Sequence, residues 1–106
     1  MYDIKVEISV IPTSSGGRKN PFSNGFRPEF NYDGVNCIVA LSTAEGVEWV
    51  YPGETVVAYI VFTNPHRHVG KIYPGKEFTL NEGNHVIANG KIVEILELEN
   101  AGKRRS

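Results

Sequence analysis

The sequence predicts an all-β domain. Three observations carry this: short segments that alternate polar and apolar residues, turn signals between them, and no helical period of useful length. Six or seven such segments in 106 residues point to a closed antiparallel barrel or a sandwich. The length suits one domain, and 41% hydrophobic with 22% charged residues are ordinary globular values. No run of about 18 apolar residues occurs, so no membrane-spanning helix is expected.

Tyr2, Ile4, Val6, Ile8 and Val10 alternate with Asp3, Lys5, Glu7 and Ser9, the period of a strand buried on one face. That pattern begins at the N-terminus, where a signal peptide would need an unbroken apolar core, so a cytoplasmic location is expected. Pro12 ends the strand, and residues 13–24 form a loop rich in Ser, Gly and Pro. Alternation returns with Phe26, Pro28, Phe30 and Tyr32 on one side, Pro28 marking an edge or bulge. After an Asp33-Gly34 turn, residues 35–41 read as the next strand.

Two segments then begin alike, "VYPGE" and "IYPGK", each with Pro-Gly set for a type II turn. Residues 56–62 are apolar on both faces, which suits a central strand or one that partly faces a partner. The last strands are read over residues 85–88 and 91–98, joined by a hairpin at Asn89-Gly90. Residues 1–99 are thus expected to form a single β-barrel domain, and residues 100–106 a flexible, polar and basic tail.

Catalytic patterns are weak. The acidic residues Glu45, Glu48, Glu54, Glu77 and Glu82 are scattered near turns, no Gly-x-Ser-x-Gly elbow surrounds a serine, and no enzyme activity is expected. His66, His68, His85 and Cys37 could supply metal ligands in number. A cis Pro-His turn or an exposed loop explains "NPHRH" without a metal, and no metal or other cofactor is expected. Cys37 is the only cysteine and is read as a small buried hydrophobe. The formal net charge of −1 provides no overall field toward nucleic acid, so any such binding needs local clustering.

"GGRKNPFSNGFRPEFNY" resembles the signature of the C-terminal barrel, domain three, of elongation factor Tu and its relatives, approximately Gly-Gly-Arg-His-x-Pro-Phe-x-x-Gly-Tyr-Arg-Pro-Gln-Phe. Gly16, Gly17, Arg18, Pro21, Phe22, Gly25, Arg27, Pro28 and Phe30 match in order. "EWVYPG" is similar to the family's Glu-x-Val-x-Pro-Gly, and residues 75–92 follow its last motif. The resemblance implies a stand-alone homologue of that domain, a six-stranded closed antiparallel β-barrel. In the translation factors this barrel contacts the T stem of aminoacyl-tRNA.

The 106 residues contain no Gly-x-x-x-x-Gly-Lys-Ser/Thr loop, so no nucleoside triphosphate is expected to bind. By the resemblance, Arg18 and Lys19 match tip positions placed against the RNA backbone, and Arg27 lies in the same signature. Glu82 and Gly83 match a turn that approaches the ribose side of the stem. Glu29 replaces a glutamine, where a carboxylate repels phosphate, and Asn84 and His85 replace a glycine and a basic residue. Two expectations follow. The first is a non-catalytic protein-interaction domain in a translation-related setting, with a protein partner or a second copy on an apolar barrel face. The alternative is a module that recognises tRNA-like RNA by backbone and shape. The RNA- or partner-binding residues are expected to be Arg18, Lys19, Arg27, Glu29, Glu82, Gly83 and His85.

Overall fold

The computed structural model describes residues 1–105. Eight strands and one helix follow in order: β1 (Ile4–Val10), β2 (Phe22–Ser23), β3 (Glu29–Tyr32), β4 (Val35–Thr43), β5 (Trp49–Val50), β6 (Thr55–Phe62), β7 (Glu77–Glu82), β8 (His85–Ile95) and α1 (Leu98–Arg105). Six strands close an antiparallel barrel in the order β1-β6-β4-β3-β7-β8, with β8 pairing back onto β1. The remaining two, β2 and β5, form a separate two-stranded ribbon. Closure leaves the six barrel strands no free edge.

The alternation of β1 does what the sequence requires of it: Ile4, Val6, Ile8 and Val10 are buried inside, while Glu7 and Ser9 face out. A barrel this small is filled by side chains. Phe30 lies at the centre, stacked on Phe78 at 4.3 Å and meeting Phe62 edge-on at 5.1 Å. The two-faced apolar segment resolves in the same way. Ala58, Ile60 and Phe62 point inward, and Val57, Tyr59 and Val61 lie half-buried on the outer face, where Tyr2 stacks on Tyr59 at 4.8 Å. The barrel's own side chains therefore cover part of the face expected to await a partner.

The turns follow local chemistry. Asp33 and Gly34 both take positive φ, 48° and 78°, as a two-residue type I′ hairpin needs. In both Tyr-Pro-Gly segments the residue after glycine donates its N–H to the tyrosine carbonyl, with Gly53 at φ 91° and Gly75 at φ 92°. These are the positive φ values of a type II turn.

Three expectations are corrected. Asn89-Gly90 is not a hairpin but lies inside the continuous strand β8; the turn joining β7 to β8 is Gly83-Asn84. Gly90 is glycine for a tertiary reason, because a Cβ there would stand 2.2 Å from Cζ of the Phe78 ring. The segment beginning at Phe26 is not yet regular strand: it meets β4 through the Phe26–Leu41 bridge and a bond from the Val39 N–H to the Pro28 carbonyl, and β3 starts at Glu29.

The third correction concerns the C-terminus, where the expected tail is instead helical from Leu98 to Arg105. Leu98 and Ala101 are buried, and α1 packs on the short 3-10 turn Pro65–Arg67. Burying a leucine contributes about 1.5–3 kcal/mol, which a short polar helix needs to persist. The side chains of Arg104 and Arg105, and all of Ser106, lie outside the described residues.

The Phe78–Gly90 contact yields a direct test. Gly90→Ala should lower urea-unfolding stability by about 1–3 kcal/mol through overpacking. Combined with Phe78→Leu, the loss should be smaller than the sum of the two single changes.

Candidate functional site at the barrel rim

The end of the barrel where β1 stops gathers the loop of residues 11–28, the β2–β5 ribbon and the Gly83 turn. Its shape begins with Gly17, where a Cβ would stand within 1.9 Å of the Ile11 carbonyl oxygen. Only glycine lets the chain lie that close, and the N–H groups of Ser15 and Gly17 both reach the Pro12 carbonyl. The Thr13 hydroxyl donates to the Arg18 carbonyl at 2.5 Å, fixing the next residue.

Arg18 is thereby laid across the rim. Its guanidinium carbon stands 4.9 Å from the centroid of the Phe26 ring and 5.9 Å from that of Phe22, and these two rings stack on each other at 4.4 Å. Arg18 Nε donates to the Glu82 carboxylate at 2.9 Å. The arginine side chain is only 21% exposed, and one terminal nitrogen is buried without a hydrogen-bond partner. Its charge is engaged inside the fold, not held out to solvent.

Glu29 does comparable work one step along. One carboxylate oxygen accepts the Gly83 N–H at 2.8 Å and the other accepts from the Asn36 side-chain amide at 2.7 Å. Gly83 itself sits at φ 61°, the first position of the hairpin loop. The carboxylate that replaces the resembled family's glutamine therefore acts as a strut beneath the turn.

The structure thus brings Arg18, Glu82, Gly83 and Glu29 into one connected network. Lys19, Arg27 and His85 are exposed around it and make no ion pair among the described residues. Sequence reasoning missed Trp49 and Tyr51. They flank buried Val50 on the ribbon and face solvent at 46% and 52% exposure. The period-two alternation of "EWVYP" was the signal that could have found them.

Residues 1–96 match the Elongation factor Tu C-terminal domain. The chain belongs to the elongation factor Tu C-terminal domain family. In this member the signature glycines and aromatics build the rim, with Gly17 setting the approach and Phe22 and Phe26 forming the surface under Arg18.

The opposite end of the barrel holds two of the histidines read as candidate ligands, His66 and His68. No cis peptide is present among the described residues, which corrects the expectation of a cis turn; His66 and Arg67 are exposed as a loop would have them, but His68 is buried. Its ring stacks on Phe62 at 4.2 Å, and Nδ1 shares a 2.7 Å hydrogen bond with the Tyr32 hydroxyl. His85 lies at the far rim, and among the described residues no three His, Cys, Asp or Glu side chains converge. Burial pushes the Cys37 thiol up to about 11, and its Sγ lies 3.6 Å from the Phe30 carbonyl oxygen.

Burial holds the His68 imidazole below its ordinary value, helped by Lys71, His66 and Arg67 and opposed by Asp3. A base whose folded pKa is lowered leaves the unfolded chain holding more protons in acid. Its cost is absent above about pH 6.5 and grows as pH falls. Melting temperature should therefore drop as pH is lowered from about 7 to 5.5, and a His68→Gln variant should show a shallower slope.

At the rim, Arg18→Ala should lose about 1 kcal/mol of stability, from the ring contact and ion pair together. Lys19→Ala should stay within about 0.5 kcal/mol of the parent. Glu29→Ala should speed hydrogen exchange at the Gly83 amide with little change at core amides, measured by NMR.

Proposed function

We propose that this chain is a non-catalytic protein-interaction module acting in a translation-related setting. The observation that carries this reading is the exposed pair of Trp49, in β5 of the β2–β5 ribbon, and Tyr51, just after it. Large aromatics with few rotamers are the residues that most often anchor protein interfaces. Family membership supports the translation setting. The rim electrostatics favour a protein partner over RNA: Arg18 is consumed by Glu82 and the phenylalanines, and two carboxylates, Glu29 and Glu82, stand beside the turn. A phosphate approaching there meets like charge.

One observation supports RNA as a second reading. Lys19 and Arg27 are exposed on the rim loop and free of ion pairs among the described residues. Two cations give weak binding with a salt slope of roughly −0.7 to −0.9 per phosphate contacted.

Trp49 is the sole tryptophan, so its fluorescence reports directly on the ribbon. Purified translation factors and ribosomal subunits are titrated in turn while its emission is followed. A saturable shift with one of them, weakened about tenfold or more by Tyr51→Ala, is the expected result. No shift with any of them, together with salt-sensitive binding of a T-stem hairpin that Lys19→Glu and Arg27→Glu abolish, would replace this reading with the RNA one.

A further inference from the structure

A cavity of about 430 Å³ opens at the end of the barrel away from the rim, between the first half of β4 and residues 63–71. Its volume lies in the range of small-molecule sites. Its walls are tied together, since the Thr63 hydroxyl donates to the Ile38 carbonyl at 2.9 Å. Its back is fixed by His68, which is stacked on Phe62 and hydrogen-bonded to Tyr32. The walls are therefore fixed before a ligand arrives, and binding has only the exposed Arg67 and Lys71 side chains to order.

The charge of the lining is one-sided. Arg67 and Lys71 line the cavity and neither has an ion-pair partner among the described residues; no carboxylate lines it, and the nearby Glu29 carboxylate is engaged by the side-chain amide of the lining residue Asn36 at 2.7 Å and by the Gly83 N–H at 2.8 Å. This is notable in a chain whose 12 acidic residues outnumber its 11 Lys and Arg. Asn64 adds a side-chain amide that makes no hydrogen bond within the described fold. Ile38, 45% exposed, supplies an apolar surface on the facing wall.

We propose that this cavity binds a small organic anion, with a phosphate or carboxylate head held by Arg67 and Lys71 and an apolar body laid against Ile38. Cationic side chains beside an amide donor suit a head with several acceptor oxygens. The apolar wall excludes a bare inorganic ion as the best occupant, because such an ion would leave Ile38 in water. The site lies at the opposite end of the barrel from Trp49 and Tyr51 and does not depend on the interaction reading.

Phenyl phosphate is the probe, titrated at low ionic strength into the full chain while backbone amide shifts are followed by NMR. Inorganic phosphate and benzyl alcohol are run separately as the two halves of the ligand. The expected result is saturable shifts confined to residues 35–38 and 63–71, with weaker binding of either half alone. Arg67→Gln with Lys71→Gln should weaken phenyl phosphate about tenfold or more. Lys19→Gln with Arg27→Gln should leave it unchanged. Both lining cations are exposed, so the double variant should keep the parent spectrum elsewhere, which verifies its fold. The proposal is overturned by the absence of saturation up to about 10 mM. Shifts that map to the rim, or an affinity indifferent to Arg67 and Lys71, would also overturn it. So would displacement of the probe by a T-stem hairpin, which would make the cavity part of an RNA surface.

Discussion

The ring of Phe78 occupies space that Gly90 leaves empty, and much of the barrel's geometry depends on that contact. Where a Cβ would stand 2.2 Å from the ring, its absence lets Phe78 lie flat across β8 and stack on Phe30. Phe30 in turn meets Phe62 and Tyr32 edge-on, so one missing side chain permits a cluster that joins β7, β3 and β6 across the interior. Aromatic pairs in these geometries contribute about 0.5–1.5 kcal/mol each beyond the area they bury. The two ends of the barrel inherit their positions from this cluster. Glu29 and Glu82 extend from β3 and β7 to the rim, while Tyr32 and Phe62 present their rings to His68 at the other end.

The rim illustrates how a family signature can be structural where it looks functional. A Gly-Gly-Arg sequence with aromatics nearby suggests a cationic finger. Here the second glycine brings the chain against Ile11, the aromatics form a stacked pair, and the arginine closes over them to reach Glu82. Glu29, a departure from the signature, becomes intelligible as an acceptor for the Gly83 N–H. Charges spent on one another cost less to hold at a half-buried surface than charges left unpaired, but they are no longer available to a phosphate. Trp49 and Tyr51, by contrast, stay exposed near the same rim.

Sequence reasoning reached what local chemistry decides. Asp33-Gly34 and the two Pro-Gly turns were legible because a requirement for positive φ is written in the residues that satisfy it. The inward set of β1 was legible because its alternation is strict. Asn89-Gly90 misled for the same reason: glycine answers equally to a turn and to a neighbouring ring, and only the fold distinguishes them. Helix α1 escaped because its eight residues are mostly polar and its stability comes from docking on residues 65–67, far away in sequence. The residues of the rim network were identified, but not their partners, since Arg18 and Glu82 meet only after the barrel closes.

The claim most exposed to experiment is that Arg18 is committed to the fold. It is tested by the solvent exchange of the Arg18 Nε–H proton, measured by NMR alone and with a T-stem RNA hairpin present. The account predicts a slowly exchanging, well-dispersed Nε–H signal that the RNA leaves in place. Exchange as fast as that of a free arginine, or a signal that moves as RNA is added, would contradict it.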